Sequence, residues 1–327
     1  MGSASTVGTN NHTEYGLMNI TEFMNASSNI NEISIIVDIY GGFQLLLLLI
    51  GIIGNILILA VLHKSKGHLP PVTMVLVKHQ SVVDAMVCLT VCGHVIIPKY
   101  WVSGMFYLDV FLCHVFHSYV LSFAFIYISI WNLVLMATER MMVVRFPLKY
   151  KFLQLKHVRY LLGLIYITSL GFNTVYCSEF QLEQDGQCQW KNDFQTKEFA
   201  SLLKIYGYIY FSLTYGIPLV LIIIMFAIVL DSLRRRMNNA ELGQSSVIST
   251  ANSKATKSFI YVTILFIGCY SLDNVYYITF LMGKRPNVTT PLSLFLMALN
   301  SSLNPLIYFA KLDFMRTALF KMLRCKN

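Results

Sequence analysis

The sequence predicts an all-α membrane protein, a bundle of seven transmembrane helices followed by a short amphipathic helix. Three observations support this prediction. The chain of 327 residues is 56% hydrophobic and only 13% charged, whereas about a quarter of the residues in soluble domains are charged. Seven predominantly apolar runs reach the roughly 20 residues that a helix needs to cross a bilayer. Most of the 25 Lys and Arg residues fall on one side when successive loops are assigned alternately to the two faces of the membrane.

The predicted spans follow one another with short loops between them. They cover about residues 35–62, 71–98, 110–138, 158–177, 201–230, 258–282 and 290–310. The first and fifth are the most apolar, and the fourth is the weakest because it contains several polar residues, so a six-span chain is the alternative. The order predicts three parts: a polar tail over 1–34, a bundle over 35–310 and a cytoplasmic helix and tail over 311–327.

Charge and glycosylation signals predict the same topology. The positive-inside rule makes the basic face cytoplasmic and places the N-terminus outside. Four Asn-X-Ser/Thr sequons then lie on the outer side. They begin at Asn11, Asn19, Asn25 and Asn287. A net charge of +9 is therefore explained by topology and by attraction to anionic membrane lipids, which argues against nucleic acid as a partner. A multi-pass protein of the plasma membrane is expected.

Cysteines add two expectations. Cys113 begins the third span and Cys188 lies in the outer loop, so both face an oxidising compartment in which a disulfide is plausible. Cys177, at the outer end of the fourth span, is a competing partner. Cys325 lies in the basic C-terminal tail and is a candidate for palmitoylation. Just before it, apolar residues at helical spacing predict a short amphipathic helix on the inner leaflet within residues 311–327.

Polar residues inside the spans are functional candidates because charged groups at bilayer depth are costly. Asp84 stands in the middle of the second span, and Glu139 and Arg140 end the third, where the glutamate can neutralise its neighbour. In the seventh span Asn300, Asn304 and Tyr308 recur every four residues. They therefore share one helix face.

Pro305 lies on the same stretch of the seventh span. It removes one backbone donor and so frees the carbonyl group of Ser301. A freed carbonyl at this depth must be satisfied by a side chain or by water. The face formed by Asn300, Asn304 and Tyr308 is therefore predicted to line a small polar cavity inside the bundle rather than to contact lipid.

These motifs, in their order along the seven spans, resemble the rhodopsin-like (class A) G-protein-coupled receptors, of which the chain looks like a divergent member. The resemblance covers residues 35–325. The residues that carry it are Gly54-Asn55, Asp84, Glu139-Arg140-Met141, Pro147, Pro218, the stretch FIGCY and Asn304-Pro305-Leu306-Ile307-Tyr308. The last is a full NPxxY motif.

The resemblance implies roles for individual residues. A structural sodium ion, held chiefly by Asp84, is implied at positions matching a sodium and water cavity: Asp84, Ser129, Asn300, Ser301 and Asn304. All five side chains offer oxygen, which hard cations prefer. The activation switch is implied at Glu139, Arg140, Ile130, Pro218, Phe266, Tyr270, Pro305 and Tyr308. The resemblance also implies a disulfide between Cys113 and Cys188.

The chain departs from the family pattern at several positions, of which three bear on the structure. Tyr270 stands where most members have a tryptophan, and Asn252 where some place an acid that locks Arg140. Cys113 is two residues farther from Arg140 than usual, so a bulge or register shift is expected at the outer end of the third span.

Two residues in the spans exclude particular classes of ligand. Ser122 replaces the aspartate of amine receptors and Ala298 the lysine that holds retinal in opsins, so both ligand classes are disfavoured. Ser122, Asp273 and Tyr277 are the pocket candidates. The stretch GQCQW around Cys188 is expected to form one strand of a hairpin lid, as in many peptide receptors. A peptide is therefore the leading ligand hypothesis, with a lipid or a small polar metabolite next.

The sequence thus predicts a receptor that binds an extracellular ligand and activates heterotrimeric G proteins, with arrestin as a further cytoplasmic partner. A transporter or channel is the alternative from another class, because Asp84 and the two asparagines could line an ion path. An enzyme is not expected, since no metal-ligand spacing and no pairing of a nucleophile with a base is found.

Overall fold

The computed structural model describes residues 20–64, 69–97, 102–178, 180–183, 188–190, 197–241, 248–282 and 290–324. Four predicted modification sites lie outside these residues. They are Asn11, Asn19, Asn287 and Cys325. The side chain of Asn25 is also outside the described part, although its backbone belongs to a helix.

Helices account for nearly all the described residues. The α-helices are α1 (Ile20–Lys64), α2 (Pro71–Ile96), α3 (Phe106–Phe111), α4 (Val120–Arg145), α5 (Pro147–Tyr150), α6 (Leu155–Asn173), α7 (Val175–Ser178), α8 (Lys197–Phe211), α9 (Ile217–Glu241), α10 (Ile248–Leu281), α11 (Thr290–Lys311) and α12 (Asp313–Arg324). Two π-helical segments interrupt them, π1 (Leu112–His117) and π2 (Ser212–Gly216). Two short strands are present, β1 (Phe180–Leu182) and β2 (Cys188–Trp190).

The predicted spans coincide with these helices. Five described helical stretches are long and apolar enough to cross a membrane: Tyr40–Lys64, Pro71–Ile96, Phe106–Arg145, Lys204–Arg235 and Leu292–Lys311. The other two predicted spans coincide with α6 and α10. Helix α1 begins at Ile20, before the predicted membrane span, whose apolar part is observed over Tyr40–Lys64. No glycine or proline interrupts the residues that precede the span.

The chain divides into two compact units. Met1–Phe43 contains the beginning of α1, and Gln44–Asn327 contains the helical bundle. Within the second unit α4 is central and packs against α2, α6 and α9. One apolar core runs through these helices, α10 and α11.

Two glycines let α1 approach α11 closely. A Cβ atom at Gly51 would lie 2.8 Å from the Ser302 Cα, and one at Gly54 would lie 2.7 Å from the Pro305 Cβ. Real Cβ atoms do not approach other atoms so closely, so larger residues at either position would force the helices apart. This approach brings Asn55 within reach of the α11 backbone.

The outer end of the third span contains the expected irregularity. Six residues form π1, and Tyr119 follows with a φ of 61°. This left-handed conformation is uncommon for a residue other than glycine. The expected disulfide joins Cys113 of π1 to Cys188 of β2.

The expected hairpin strand is present as well. Strand β2 pairs with β1 in antiparallel fashion, so that Leu182 is opposite Cys188. The hairpin is therefore attached to the third span covalently. At the other end of the chain, α12 confirms the predicted C-terminal helix, with Leu312 and Met315 buried and Arg316 exposed.

Candidate functional site

A buried carboxylate forms the centre of the polar cluster. Asp84 is inaccessible to solvent, and four side chains donate hydrogen bonds to it. Oδ1 accepts from Gln80 Nε2 at 2.9 Å, from Ser129 Oγ at 2.9 Å and from Ser301 Oγ at 2.8 Å, and Oδ2 accepts from Asn304 Nδ2 at 2.8 Å. All four donors stabilise the ionised form of the acid. The structure thus brings together α2, α4 and α11 at one carboxylate.

Gln80 and Asn132 extend the cluster toward the inner side. Gln80 lies one helical turn before Asp84, and its Nε2 also contacts Ser129 Oγ at 2.6 Å. Its Oε1 accepts from Asn132 Nδ2 at 2.6 Å, and the same Nδ2 lies 3.1 Å from the Leu76 carbonyl oxygen. The whole Gln80 amide is therefore hydrogen bonded although it is fully buried.

The carbonyl group that Pro305 leaves free in α11 is hydrogen bonded by a side chain of α1. Asn55 Nδ2 lies 3.2 Å from the carbonyl oxygen of Ser301, the group that Pro305 leaves without a backbone partner. Asn55 also donates to Gly51 of its own helix at 2.9 Å. A side chain rather than water thus supplies the donor that the proline removes.

Other polar atoms of α11 are buried beside this cluster. Asn300 is inaccessible, and neither its Oδ1 nor its Nδ2 hydrogen bonds to a described residue. Asn304 Oδ1 is likewise without a donor among the described residues. Asn300 therefore does not bind Asp84 directly, although it lies one turn before Asn304 on the same face of α11. These two amide oxygens remain able to accept a ligand.

The donor set fits a hard monovalent cation in its chemistry. One carboxylate, two hydroxyl groups and two amide oxygens without partners are the kind of ligand that such ions prefer. The residues that would hold the ion are Asp84, Ser129, Ser301, Asn300 and Asn304. Among the described residues no group of three or more His, Cys, Asp or Glu side chains could form a metal site of another kind.

A second polar cluster lies at the C-terminal end of α4. Arg140 Nε lies 2.8 Å from Glu139 Oε2, and Arg140 Nη2 donates to Thr73 Oγ1 at 2.7 Å. Thr73 Oγ1 in turn donates to Glu139 Oε1 at 2.5 Å. Tyr150 of α5 donates to the same oxygen at 3.0 Å. Arg140 and Glu139 are both buried, so the arginine faces its own helix and α2.

Tyr150 lies in the short helix after the third span, outside the membrane-spanning segments. Burial and, after it, the charge of Glu139 raise the pKa of Tyr150 to about 12. The phenol is therefore protonated at neutral pH and able to donate its hydrogen bond. It serves as a third tether on the carboxylate that holds Arg140.

The remaining candidates for the activation switch lie in the core. Ile130, Phe266 and Tyr308 belong to the same buried cluster as Tyr270, and Pro218 is buried near the beginning of α9. The Phe266 and Tyr270 rings are 4.9 Å apart. The Tyr270 hydroxyl is buried without a hydrogen bond to a described residue.

Two further contacts tie α10 to its neighbours. Tyr215 of π2 and Ser271 of α10 have their hydroxyl oxygens 2.6 Å apart. At the inner end, Lys311 Nζ lies 4.3 Å from the centroid of the Tyr261 ring, a distance at which a cation is attracted to the face of an aromatic ring. The side chain of Asn252, at the position of the missing acid, lies outside the described residues.

The candidate pocket residues face several elements near the outer end. Ser122 is buried, and its Oγ lies 3.0 Å from His94 Nε2 of α2. The His94 ring is 4.3 Å from that of Phe116 and 4.5 Å from that of Tyr119, between centroids. Tyr277 is half-buried with its ring 6.2 Å from that of Tyr210, and Asp273 is half-buried on α10.

Several of these residues were not predicted from the sequence. Gln80, Asn132 and His94 are polar side chains within apolar spans, and that signal was available for each of them. Gln80 also stands four residues before Asp84 and so on its face of the helix. Thr73 and Tyr150 lie at the ends of spans, where polar residues are ordinary and give no signal.

Comparison with known proteins agrees with this geometry. The family model described as 7 transmembrane receptor (rhodopsin family) matches residues 54–308. Galanin receptor 2b of Danio rerio is 27% identical over 313 residues, which cover 91% of this chain and 78% of the receptor. Adenosine receptor A3 of Canis lupus familiaris is 24% identical, covering 82% and 85%. Galanin receptor type 1 of Mus musculus is 25% identical, covering 86% and 80%.

Proposed function

The chain belongs to the rhodopsin family of seven-transmembrane receptors, and we propose that it converts the binding of an extracellular ligand into activation of a heterotrimeric G protein. Members of this family are receptors rather than enzymes. The chain is accordingly a multi-pass membrane protein whose function depends on a change of conformation. A ligand can drive such a change only if it binds the active conformation more tightly than the inactive one.

The single observation that carries this proposal is the arrangement around Arg140. The guanidinium is buried at the cytoplasmic end of α4 and bonded to Glu139 and Thr73. Removing it from these partners exposes a cation beside the basic inner face of the protein. A buried ion pair with a threonine and a tyrosine on the same carboxylate suits a contact that opens and closes. In this proposal the closed contact of Arg140 with Glu139 and Thr73 belongs to the inactive state of the receptor.

Substitution of Arg140 tests the proposal. We expect Arg140→Ala to abolish both basal and ligand-stimulated nucleotide exchange on the G protein, because the cation that meets the G protein is removed. Arg316→Ala is the matched control, since Arg316 is exposed on α12 and pairs only locally with Asp313. Normal exchange by Arg140→Ala at equal surface expression would contradict the proposal.

The Asp84 cluster is the second part of the proposal. A sodium ion held by Asp84, Ser129 and Ser301 would stabilise the inactive state by joining α2, α4 and α11. Its charge would neutralise a buried carboxylate that has only neutral hydrogen-bond donors among the described residues. When α11 moves, the cluster would lose the ion and its present contacts. This change would couple ligand binding at one end of the bundle to the release of Arg140 at the other.

A peptide is the ligand class that we favour. The β-hairpin attached by Cys113–Cys188 supports it, because a lid fixed at one edge leaves an opening for an extended chain. The relatives carry the names of galanin and adenosine receptors, so a small polar metabolite is the second candidate. Second-messenger screens against secreted-peptide and metabolite libraries separate the two, and responses confined to metabolites would overturn the peptide proposal.

Orientation and further partners complete the proposal. An outer N-terminus agrees with the positive-inside rule, and α12 with its basic residues is suited to the inner leaflet. Arrestin would use the same inner face as the G protein. A transporter is disfavoured by family membership, and ion flux in proteoliposomes containing the purified chain provides the direct check.

A further inference from the structure

Gln80 takes part in the Asp84 cluster in a way that the proposed sodium site does not require. Its Nε2 lies 2.9 Å from Asp84 Oδ1 and 2.6 Å from Ser129 Oγ. An amide nitrogen carries two hydrogens and a partial positive charge, and here each hydrogen has an oxygen to bond. A cation bound between Asp84 Oδ1 and Ser129 Oγ would need the same two oxygen atoms.

The rest of the network fixes the amide in this orientation. Asn132 Nδ2 donates to Gln80 Oε1 at 2.6 Å and is itself held by the Leu76 carbonyl. The opposite orientation would direct Gln80 Oε1 at the Asp84 carboxylate and its NH₂ group at the NH₂ group of Asn132. Both contacts would be repulsive, because like atoms would face each other.

Asp84 Oδ1 is also saturated by hydrogen bonds. It accepts from Gln80, Ser129 and Ser301, whereas a carboxylate oxygen offers about two lone-pair sites. An ion can approach this oxygen only after at least one donor turns away. Gln80 is the donor without another role in binding the ion, since the two serines would themselves supply oxygen ligands.

We infer that Gln80 is a built-in competitor of sodium, its amide taking the place of the ion between Asp84 and Ser129. This inference rests on the proposed sodium site. Sodium binds this receptor more weakly than it would bind the same cluster without the amide. The receptor therefore holds its inactive state partly by an internal hydrogen-bond donor and depends less on the external ion.

The test uses Gln80→Met, which keeps the shape of the side chain and removes the amide. Thermal unfolding of the purified full-length receptor is followed while sodium chloride replaces potassium chloride at constant ionic strength. An ion that binds only the folded state stabilises it by RT ln(1 + c/Kd), where c is the sodium concentration, so the melting temperatures yield the dissociation constant of sodium. We expect this constant, the midpoint of sodium binding, to fall about tenfold in Gln80→Met, the size of one lost charge-assisted hydrogen bond.

Controls separate this effect from a general loss of stability. Gln44→Met removes another buried glutamine amide, about 16 Å along α1 from Asn55, and should leave the sodium midpoint unchanged. The double variant Gln80→Met/Asp84→Asn should lose the sodium-specific stabilisation. Gln80→Leu serves as the second apolar replacement if Gln80→Met does not fold.

Either of two results would overturn the inference: equal sodium midpoints in the wild type and the Gln80 variants, or no sodium-specific stabilisation in any variant. Nucleotide exchange by Arg140→Ala is measured separately. A failure there concerns G-protein activation, whereas a failure of the salt titration concerns only the cation and Gln80.

Discussion

At the scale of single residues, the C-terminal end of α4 is held by one carboxylate with three partners. Glu139 pairs with Arg140 and accepts hydrogen bonds from Thr73 and Tyr150. These bonds connect α2, α4 and α5. The proposed inactive state therefore includes a contact network that involves three helices.

Tyr150→Phe should raise ligand-independent activity. It removes the hydrogen bond to Glu139 and leaves the ring in place, so that the Arg140 pair opens more readily. A hydrogen bond to a charged group contributes about 1.5–3 kcal/mol, and Tyr150 is only half-buried, so we expect basal nucleotide exchange to rise by up to about tenfold. Tyr160→Phe, at an exposed tyrosine of α6, is the control. Unchanged basal exchange in Tyr150→Phe would show that the hydrogen bond from Tyr150 to Glu139 does not stabilise the inactive state.

At the scale of helices, two irregular backbones are each satisfied by a side chain from a neighbour. In α11 the Ser301 carbonyl accepts from Asn55 of α1. In π2 the Leu213 carbonyl accepts from Trp131 Nε1 of α4 at 3.1 Å. Polar backbone groups at membrane depth need such partners. Each irregular segment is therefore fixed to one specific neighbour, which defines where the helix can bend.

The approach of α1 to α11 can be tested at its glycines. Gly54→Ala places a methyl group against the ring of Pro305, and we expect the free energy of unfolding to fall by about 1–3 kcal/mol. Gly163→Ala in α6 is the control because an added Cβ there meets no atom within 4 Å. It should be neutral or slightly stabilising through helix propensity. Equal melting temperatures of the two purified variants would argue against tight packing at Gly54.

At the scale of the whole molecule, the charge distribution orients the bundle. Basic residues cluster in the segments that α4, α9 and α12 carry to one face, and the sequons lie in the segments assigned to the opposite face. The charge asymmetry sets the orientation during insertion. It also gives that face a positive potential toward anionic lipid and acidic surfaces.

Glycosidase treatment of the receptor from a eukaryotic cell membrane tests this orientation. We expect removal of N-glycans to lower the apparent mass of the wild type. The quadruple substitution of Asn11, Asn19, Asn25 and Asn287 by Gln should abolish the shift. Asn300-Ser301-Ser302 also fits the sequon pattern, but replacement of Asn300 alone should not change the mass, since this sequence lies within α11. A glycan on Asn300, or none at the other four sites, would contradict the orientation.

Much of the fold was predictable because it depends on composition and local spacing. Apolar length defined α2, α4 and α11, and helical periodicity predicted α12. The cluster members Asp84 and Asn304 were predictable because polarity inside a span is costly wherever the neighbours lie. The place of the Ser301 side chain in the cluster was implied only by the resemblance to the family. Helix α1 begins before its predicted membrane span because polar residues without glycine or proline can continue a helix beyond the apolar run.

Other features depended on which helices become neighbours. Gln80 shares a helix face with Asp84, but its bond to Ser129 needs the distance between α2 and α4. Tyr150 reaches Glu139 only because α5 folds back beneath α4. The sequence indicated extra residues before Arg140, whereas the left-handed conformation of Tyr119 is a result of tertiary constraints that no local pattern encodes.

The irregular start of the third span has a consequence for protein engineering. Segment π1 and Tyr119 absorb the extra residues, so that Cys113 still meets Cys188 while α4 keeps its register down to Arg140. A chimera could keep Cys113 of this chain and take the following helix from a relative without the two extra residues. The faces of that helix would then be rotated by about 200° relative to Cys113, since each residue advances an α-helix by about 100°. Junctions placed after Val120 avoid this rotation and preserve both ends of the span.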